Sequence, residues 1–368
     1  MTAVYRAEHV GSLLRPKALL DAWDAHERGE VTGEQLNEIE DQAILRVLKL
    51  QRDSGIDVAT DGEYRRLSWL SNLHDACEGL TRSDEPGYPP FWHGPGESVA
   101  NAEMPVKAIV CTAKLKARQR LCGHETPFLA KHAGMPFKTS LAAPTMHLNL
   151  YAEGVTDKVY PTIQAYVDDI VAIYRDEVDA LLKDGLRYFQ LDTLRYCQII
   201  GGRDEMLNGQ THKEAAEQTL NADNAVLARA KAGGALTSIH ICRGNHRSAW
   251  AMEGSYEEVA EDLFTRTEAD RLLLEYDDER SGGFEPLRFV PKGKTVVLGL
   301  ITTKVPRLED QDMLRRRVDE AARYLPLDQL ALSPQCGFAS THMGNLLTED
   351  EEKRKLELVA DTARKIWG

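Results

Sequence analysis

The sequence predicts an α/β protein that folds as a (βα)8 TIM barrel. Short apolar runs rich in β-branched residues alternate with longer amphipathic segments, and polar residues directly follow several of these runs. A doubly wound open sheet would give a similar alternation, but active-site residues at the C-terminal ends of many strands are typical of a barrel. The eight predicted strands span residues 5–10, 55–60, 137–142, 187–191, 236–241, 271–276, 295–301 and 329–333.

The helices between these strands are predicted from apolar positions at helical spacing. In residues 35–52, Leu36, Ile39, Ala43 and Val47 lie near one face of a helix. Further helices are predicted at residues 158–183, 213–231, 256–267, 309–323 and 348–366.

Residues 64–135 do not fit the repeat, since they separate the second and third predicted strands by far more than one helix. We interpret them as an insertion in a single barrel domain that spans residues 1–368. The insertion contains a turn-rich stretch with Gly87, Pro89, Pro90, Gly94, Pro95 and Gly96, and residues 106–116 are predicted to form an edge hairpin. It is expected to cover one end of the barrel and to carry specificity or a subunit contact, as in a homo-oligomer.

The composition is that of an ordinary globular protein, with 42% hydrophobic and 28% charged residues. A formal net charge of -13 argues against nucleic acid or an anionic membrane as partner. There is no secretory signal at the start and no apolar run of about 18 residues, so we expect a cytoplasmic protein. The six cysteines lack the dense spacing of a disulfide scaffold, which favours reduced thiols or metal ligands.

Four residues at predicted strand ends have the chemistry of a zinc site. His240 and Cys242 are two residues apart on one strand, so their side chains point to the same face. Glu275 ends the next strand, and Cys336 follows the last one. Because strand ends converge in a barrel, all four could bind one Zn²⁺, which accepts mixed nitrogen, sulfur and oxygen ligands. Zinc could then bind a substrate thiol and lower its pKa, with Glu275 yielding its place.

Each of these residues also has an ordinary structural interpretation. His240 with Cys242 could be a buried core pair, and Cys336 could be a small core residue. Glu275 could form an ion pair with Arg243 or Arg280. A purely structural zinc is a further alternative, although the sequence lacks a Cys-x-x-Cys knuckle.

With these residues identified, the chain resembles the catalytic domain of cobalamin-independent methionine synthase, and more closely the short, single-barrel members of that family. The resemblance covers nearly the whole chain except residues 64–135. The motifs that carry it are His240-Ile-Cys242, Glu275, Cys336 in a Cys-Gly-Phe context, His9-Val-Gly-Ser-Leu-Leu-Arg-Pro16, Asp61-Gly-Glu63, Gln190-Leu-Asp192, and Leu298-Gly-Leu300 before Lys304.

The resemblance implies alkyl transfer, usually of a methyl group, to a zinc-bound thiolate of homocysteine. It also implies that the backbone at Gly11 and Ser12, with the carboxylates of Glu63 and Asp192, holds the amino acid acceptor. Asp192 is therefore a candidate catalytic as well as substrate-binding residue. The alternative is that the two carboxylates form structural ion pairs with arginines, namely Arg65, Arg66 or Arg195.

The methyl-donor side departs from the family pattern. Large members carry a histidine after the seventh strand with a proposed proton-transfer role, where this chain has Lys304, which could donate a proton or bind an anion. The tryptophan thought to stack on folate has no clear match, and Trp69, His147 or Tyr151 are the candidate substitutes. These departures mean that a folate donor does not follow from the resemblance, and two donors stay open: one of folate type, or one delivered by another protein.

Two other functions fit the same residues. One is transfer of an epoxide or another alkyl group to a different thiol such as coenzyme M, for which Arg243, Arg247 or Lys304 would supply a cationic sulfonate pocket. The other is a metal or thiol sensor without turnover. Neither a dinucleotide fingerprint nor a Walker loop is present in the sequence.

Overall fold

The first part of the chain is mainly helical and carries one antiparallel strand pair. The computed structural model describes residues 4–86, 92–102 and 107–368. Strand β1 (Cys77–Pro86) pairs antiparallel with β2 (Lys107–Ala117). The helices of this part are α1 (Lys17–Glu27), α2 (Gly33–Ser54), α3 (Ser71–Ala76), α4 (Glu97–Ala102) and α5 (Glu125–His132).

Six parallel strands follow, and each pairs with the next one along the chain. This order places neighbouring strand ends side by side, as the pairs Asp192 with His240 and Glu275 with Gly299 show. The strands are β3 (Thr139–Ala142), β4 (Tyr188–Thr193), β5 (Leu236–Ile241), β6 (Arg271–Glu275), β7 (Thr295–Ile301) and β8 (Leu330–Pro334).

Two short extended segments near the N-terminus close the sheet into a barrel. Ala7 forms a parallel bridge with Leu332 of β8, and Ala59 forms one with Phe137, directly before β3. The two segments meet where the Asp57 backbone N–H donates to the Ala7 carbonyl at 2.8 Å. The ring of eight extended segments confirms the predicted (βα)8 barrel.

The helices of the second half follow the parallel strands, except that β6 and β7 are joined by 3₁₀ turns. Threonine N-caps begin several of them: Thr211 and Thr348 each form a capping box with a glutamate three residues later. These helices are α6 (Ile163–Lys183), α7 (Arg195–Ile200), α8 (His212–Ala232), α9 (Glu257–Arg266), α10 (Gln311–Ala321) and α11 (Glu349–Trp367).

The strands separate a small inner core from a large outer one. Val10, Leu273, Val297 and Ala331 form an apolar cluster of their own, while the other faces of the strands pack in the large cluster that includes the helices. Both faces of the parallel strands are buried, which accounts for their nearly continuous apolar sequences. Among the described residues, no helix is long and apolar enough to cross a bilayer.

Most element boundaries follow the sequence prediction, and three features differ. β5 and β7 match their predicted bounds, but residues 5–10 and 55–60 contribute only isolated bridges. The described part of residues 106–116 is a single strand that pairs with β1 and not a hairpin, because its partner lies about 30 residues earlier in the chain. The predicted helices also have no counterpart to α1, α3, α4, α5 and α7.

Parts of the insertion prediction lie outside the described residues. These are Gly87, Pro89 and Pro90 of the turn-rich stretch and position 106 of the predicted hairpin. The division of the chain into one domain with an insertion at 64–135 stays a prediction.

Candidate metal centre

His240 occupies the C-terminal part of β5 with its Nε2 atom available to a ligand. The side chain is buried, and Nδ1 lies 3.3 Å from the Leu273 carbonyl oxygen. A proton on Nδ1 would bond that carbonyl and leave the Nε2 lone pair free. Among the described residues, Nε2 has no hydrogen-bond partner. This is the geometry of a histidine that binds a metal through Nε2.

The sulfur atoms of Cys242 and Cys336 meet beside His240, although 94 positions separate them in the chain. The two Sγ atoms are 3.5 Å apart and buried. Cys242 follows β5, and its backbone N–H donates to Thr193 at 2.8 Å. Tetrahedral zinc with Zn–S bonds of about 2.3 Å would separate two sulfurs by roughly 3.8 Å. The observed spacing fits that requirement closely.

Glycine at position 337 lets the loop that carries Cys336 pack closely against Ser12. A Cβ atom at Gly337 would lie 2.0 Å from the Ser12 hydroxyl oxygen. The Phe338 backbone N–H donates to the Ser12 carbonyl oxygen at 2.9 Å, which fixes the same contact. Ser12, predicted as a substrate-binding residue, therefore lies against the loop that carries Cys336.

Glu275 completes the cluster from the end of β6. Its backbone N–H donates to the Tyr256 hydroxyl at 3.0 Å. Oε1 accepts from the Arg243 backbone N–H at 2.8 Å and lies 4.0 Å from Nε2 of His240, while Oε2 accepts from Arg280 at 3.0 Å. The alternative pairing with Arg280 is thus present, and it leaves Oε1 facing the histidine.

One ligand atom from each of the four residues lies within 4.8 Å of every other, and all four residues are buried. Contacts with Cys242 and His240 lower the pKa of Cys336 well below its ordinary value, whereas the contact with Cys336 raises that of Cys242. Burial lowers the pKa of His240, but Cys336, Asp192 and Glu275 outweigh it and raise the value to about 9. The lowered pKa of Cys336 favours its thiolate, and the donor set of the four residues suits a divalent zinc ion.

The predicted acceptor-binding residues Gly11 and Glu63 are also brought together. Glu63 has a left-handed backbone with φ of 61°, and its backbone N–H donates to Asp61 at 2.9 Å. Its Oε1 accepts from Ser140 at 3.1 Å, while Oε2 has no partner among the described residues. A Cβ atom at Gly11 would lie 3.3 Å from Oε1, so the glycine permits this close approach. Strained backbone that presents a free carboxylate oxygen is typical of a functional site.

Asp192, at the C-terminal end of β4, faces the same region. Burial raises its pKa to about 7, and the charge of Glu63 adds to the rise, while His240 and a hydrogen bond from Gln190 oppose it. The Gln190 amide donates to Oδ1 at 2.7 Å. Two buried carboxyl groups close enough to influence each other would bind a cationic group well.

The alternative arginine partners bind mainly elsewhere. Arg65 bonds to Glu40 at 2.8 Å, and Arg195 donates to Gln210 at 3.1 Å. Arg66 bonds to Glu125 at 2.5 Å and approaches Oε1 of Glu63 only to 3.6 Å. A structural ion pair therefore accounts for one oxygen of Glu63 at most.

Lys304 lies in the barrel mouth, but its ammonium group is used by a neighbouring loop. It is buried, and Nζ donates to Asn245 at 3.0 Å and to the carbonyl oxygens of Gly244 and Ala249 at 3.3 Å. The loop at 243–247 is largely buried, and Arg247 donates to the Met343 carbonyl oxygen. Lys304 holds this loop beside the ligands.

The candidate folate-stacking residues differ in accessibility. His147 is fully buried and bonds to the Tyr174 hydroxyl at 2.8 Å. The Tyr151 hydroxyl donates to the Tyr160 carbonyl oxygen. Trp69 is half-buried, and its backbone N–H donates to the Ser340 carbonyl oxygen. The burial and hydrogen bond of His147 indicate a packing role.

Tyr256 and the position of Arg280 are the functional features that the sequence pattern missed. Tyr256 precedes a helix, so its contact with the end of β6 has no local signature. Arg280 lies in the loop after β6, where residues Glu279–Ser281 form a 3₁₀ turn. The three acids near Arg280 in the sequence were the signal that could have identified a fixed guanidinium.

Comparisons with known proteins agree with this geometry. Residues 156–364 match the model of the family described as cobalamin-independent synthase, catalytic domain. The uncharacterized protein YxjH of Bacillus subtilis (strain 168) is 39% identical over 370 residues, covering 99% of this chain and 95% of YxjH. A methionine synthase of Pyrococcus abyssi is 23% identical over 331 residues, covering 89% of this chain and 85% of that protein.

Two solved structures share the fold over almost their whole length. A putative vitamin-B12-independent methionine synthase from Listeria monocytogenes has a TM-score of 0.77 and 27% identity, covering 100% of this chain and 99% of its own. A B12-independent methionine synthase from Shewanella has a TM-score of 0.75 and 18% identity, and the match covers 99% of this chain and 98% of that one. At this identity the likeness is evidence for the fold alone. The family match extends over more than half of the chain and supports methyl transfer to a thiol. The chain therefore belongs to the family of cobalamin-independent synthase catalytic domains.

Proposed function

We propose that this protein is a zinc-dependent methyltransferase whose acceptor is the thiol of homocysteine and whose product is methionine. The observation that carries the proposal is the buried convergence of His240, Cys242, Glu275 and Cys336 within 4.8 Å. An imidazole, two thiols and a carboxylate can supply the four ligands of tetrahedral zinc, and displacement of the carboxylate would open one position to a substrate.

Zinc, when bound, would supply a Lewis acid that lowers the pKa of a substrate thiol. His240 would offer Nε2, and the two cysteines would offer sulfurs that donate electron density and keep the substrate sulfur nucleophilic. Glu275 is the ligand we expect to give way to the substrate, because its oxygens already have partners in Arg243 and Arg280.

The acceptor's ammonium group is assigned to Glu63 and Asp192. Oε2 of Glu63 is buried without a described partner, and a substrate ammonium group would supply both the charge and the donors it lacks. The backbone at Gly11 and Ser12 borders the same space, between Glu63 and the loop of Cys336. Asp192 could also hold a proton during the reaction.

The metal and acceptor assignments can be tested together. We would quantify bound zinc and record zinc-edge X-ray absorption with and without homocysteine. We expect one zinc per chain and a new zinc–sulfur contact with homocysteine, and no zinc in Cys242→Ser. Cys111→Ser is the matched control, because Cys111 is buried in β2 outside the cluster. Wild-type protein without zinc would refute the proposal, and zinc indifferent to homocysteine would point to another thiol.

The coenzyme M alternative is less well supported by the geometry. A sulfonate pocket needs accessible cations, yet Lys304 donates to three acceptors in its own loop and Arg247 bonds to Met343. Arg243 has no hydrogen-bond partner among the described residues, but its side chain is fully buried over the Tyr256 ring. A sensor without turnover would have little use for the paired carboxyl groups of Glu63 and Asp192. A folate-type donor or a donor protein stays an expectation from the family resemblance.

A further inference from the structure

Arg280 connects Glu275 with two further carboxylates. Its guanidinium donates to Oε2 of Glu275 at 3.0 Å and to Asp277 at 2.7 Å, and it also bonds to Asp278. The side chains of Arg280, Glu275 and Asp277 are at most 4% exposed. The two aspartates hold the guanidinium in place independently of Glu275, so its position does not depend on that contact.

Arg243 adds a second positive charge on the same side. Its backbone N–H donates to Oε1 of Glu275, and its side chain is fully buried over the Tyr256 ring at 4.5 Å. The three guanidinium nitrogens have no hydrogen-bond partner among the described residues. A buried cation of this kind stabilises nearby negative charge through the low local dielectric. Glu275 is therefore backed by one bonded and one unbonded guanidinium.

The total charge of the four candidate ligands explains why guanidinium groups beside Glu275 would matter. The negative charge of two thiolates and a carboxylate already exceeds the charge of a divalent cation, so an incoming substrate thiolate adds further negative charge to a buried site. That addition is tolerated only if the charge of one resident ligand is compensated elsewhere. Glu275 is the resident ligand with guanidinium groups behind it, whereas the described contacts of Cys242 and Cys336 include none.

We propose that Arg280, assisted by Arg243, is a positioning residue that compensates the carboxylate of Glu275 when the acceptor thiolate enters the site. The inference rests on the proposed function and deepens it, because it names the residue that makes Glu275 the exchangeable ligand. This compensating role differs from one in which Arg280 only orients the carboxylate of Glu275. An orienting partner supports metal affinity, while a compensating partner supports thiol affinity in protein that already holds metal.

The experiment compares Arg280→Gln, Arg280→Lys and wild type, each loaded with Co²⁺, whose absorption reports on thiolate ligands. Three quantities would be measured: metal affinity by chelator competition, homocysteine affinity from the absorption change, and the thermal midpoint. The matched control is Arg288→Gln, since Arg288 forms an exposed pair with Glu257 in the same part of the chain. Activity is not needed for any of these readouts.

For Arg280→Gln we expect homocysteine affinity to fall by about 10-fold to 100-fold, the range typical of a lost charge-assisted hydrogen bond, with metal affinity within about 3-fold of wild type. The homocysteine affinity of Arg280→Lys should lie between those of Arg280→Gln and wild type, because lysine keeps the positive charge but lacks the planar guanidinium group. Should Arg280→Gln not fold, a weaker thiol affinity in Arg280→Lys carries the same test. Arg288→Gln should match wild type.

Two results would overturn the inference. One is a large loss of metal affinity with unchanged thiol affinity, which would mean that Arg280 only orients Glu275. The other is a variant indistinguishable from wild type in both titrations. If instead wild-type protein binds no metal or shows no response to homocysteine, the proposed function itself fails, and the inference falls with it.

Discussion

Two buried polar clusters lie at opposite ends of the same barrel and differ in how completely their groups are paired. The cluster at the floor of the barrel, where the strands begin, consists of Glu8 and the side chains that donate to it. Glu8 accepts from Arg271 at 2.6 Å, from Lys138 at 2.9 Å and from Tyr188 at 3.0 Å. Burial would raise the pKa of Glu8, but the two cations outweigh it and lower the value to about 2. Every oxygen of this carboxylate has a partner.

At the mouth, the polar groups are equally buried but incompletely paired. Nε2 of His240 and Oε2 of Glu63 lack partners among the described residues, and two thiols approach each other without a disulfide. Unpaired buried groups cost free energy, so a protein keeps them where a ligand completes the pairing. The comparison assigns the floor cluster to the stability of the barrel and supports the proposal that the mouth cluster binds metal and substrate.

The largest effect is expected from breaking the floor cluster. Glu8→Ala leaves the buried cations Lys138 and Arg271 unpaired, which should lower the free energy of unfolding by about 3–5 kcal/mol. Urea denaturation followed by circular dichroism measures this change. Glu257→Ala is the control, because its pair with Arg288 is exposed and should contribute less than about 1 kcal/mol. Equal stability of the two variants would contradict a structural role for the floor.

Asp223, a buried carboxyl group outside both clusters, tests how much an incompletely paired group lowers the free energy of unfolding. Burial raises the pKa of Asp223 to about 7, despite a hydrogen bond from Tyr196. Between pH 4 and 7 the folded protein retains a proton that the unfolded chain has lost, so the free energy of unfolding falls as pH rises.

Asp223→Asn removes this pH dependence. Its stability relative to wild type should rise from near zero at pH 4 to about 2–4 kcal/mol at pH 8, since each unit of pKa shift corresponds to about 1.4 kcal/mol. Thermal or urea unfolding at several pH values measures the difference. A constant offset across this range would show that the carboxyl group is not protonated in the folded state.

Replacement of Lys304 tests whether a charged side chain at the barrel mouth also stabilises the fold. Lys304→Gln leaves acceptors in the 244–249 loop unpaired and should lower the free energy of unfolding by about 1–3 kcal/mol, with reduced metal affinity. Stability, metal content and kcat would be measured together. A loss of kcat above about 100-fold with unchanged stability and metal content would instead identify Lys304 as the proton donor.

The smallest stability change is expected at the metal cluster. In metal-free protein, Cys336→Ser should alter the free energy of unfolding by less than about 1 kcal/mol, because incompletely paired functional groups contribute little to the fold. The same substitution should abolish zinc retention, measured as zinc per chain. Collapse of the metal-free variant would mean that the mouth cluster is as structural as the floor.

Much of the candidate site could be predicted from local sequence. Alternation along a strand places His240 and Cys242 on one face, and apolar runs located β5, whose bounds match the prediction. Glu275 and Cys336 were identified because each directly follows or ends such a run. Periodicity and turn chemistry depend on neighbouring residues, so they can be read without knowledge of the fold.

The tertiary structure decided which of these groups have partners. Arg271 reaches Glu8 across 263 positions, and the barrel closes through a hydrogen bond between Asp57 and Ala7. The fixed guanidinium of Arg280 and the hydroxyl of Tyr256 behind Glu275 likewise depend on how loops and helices pack. Such contacts join residues that no local pattern relates. The sequence by itself therefore determined most of the strands and the candidate ligand residues, and packing alone decided which buried polar groups are paired and which are not.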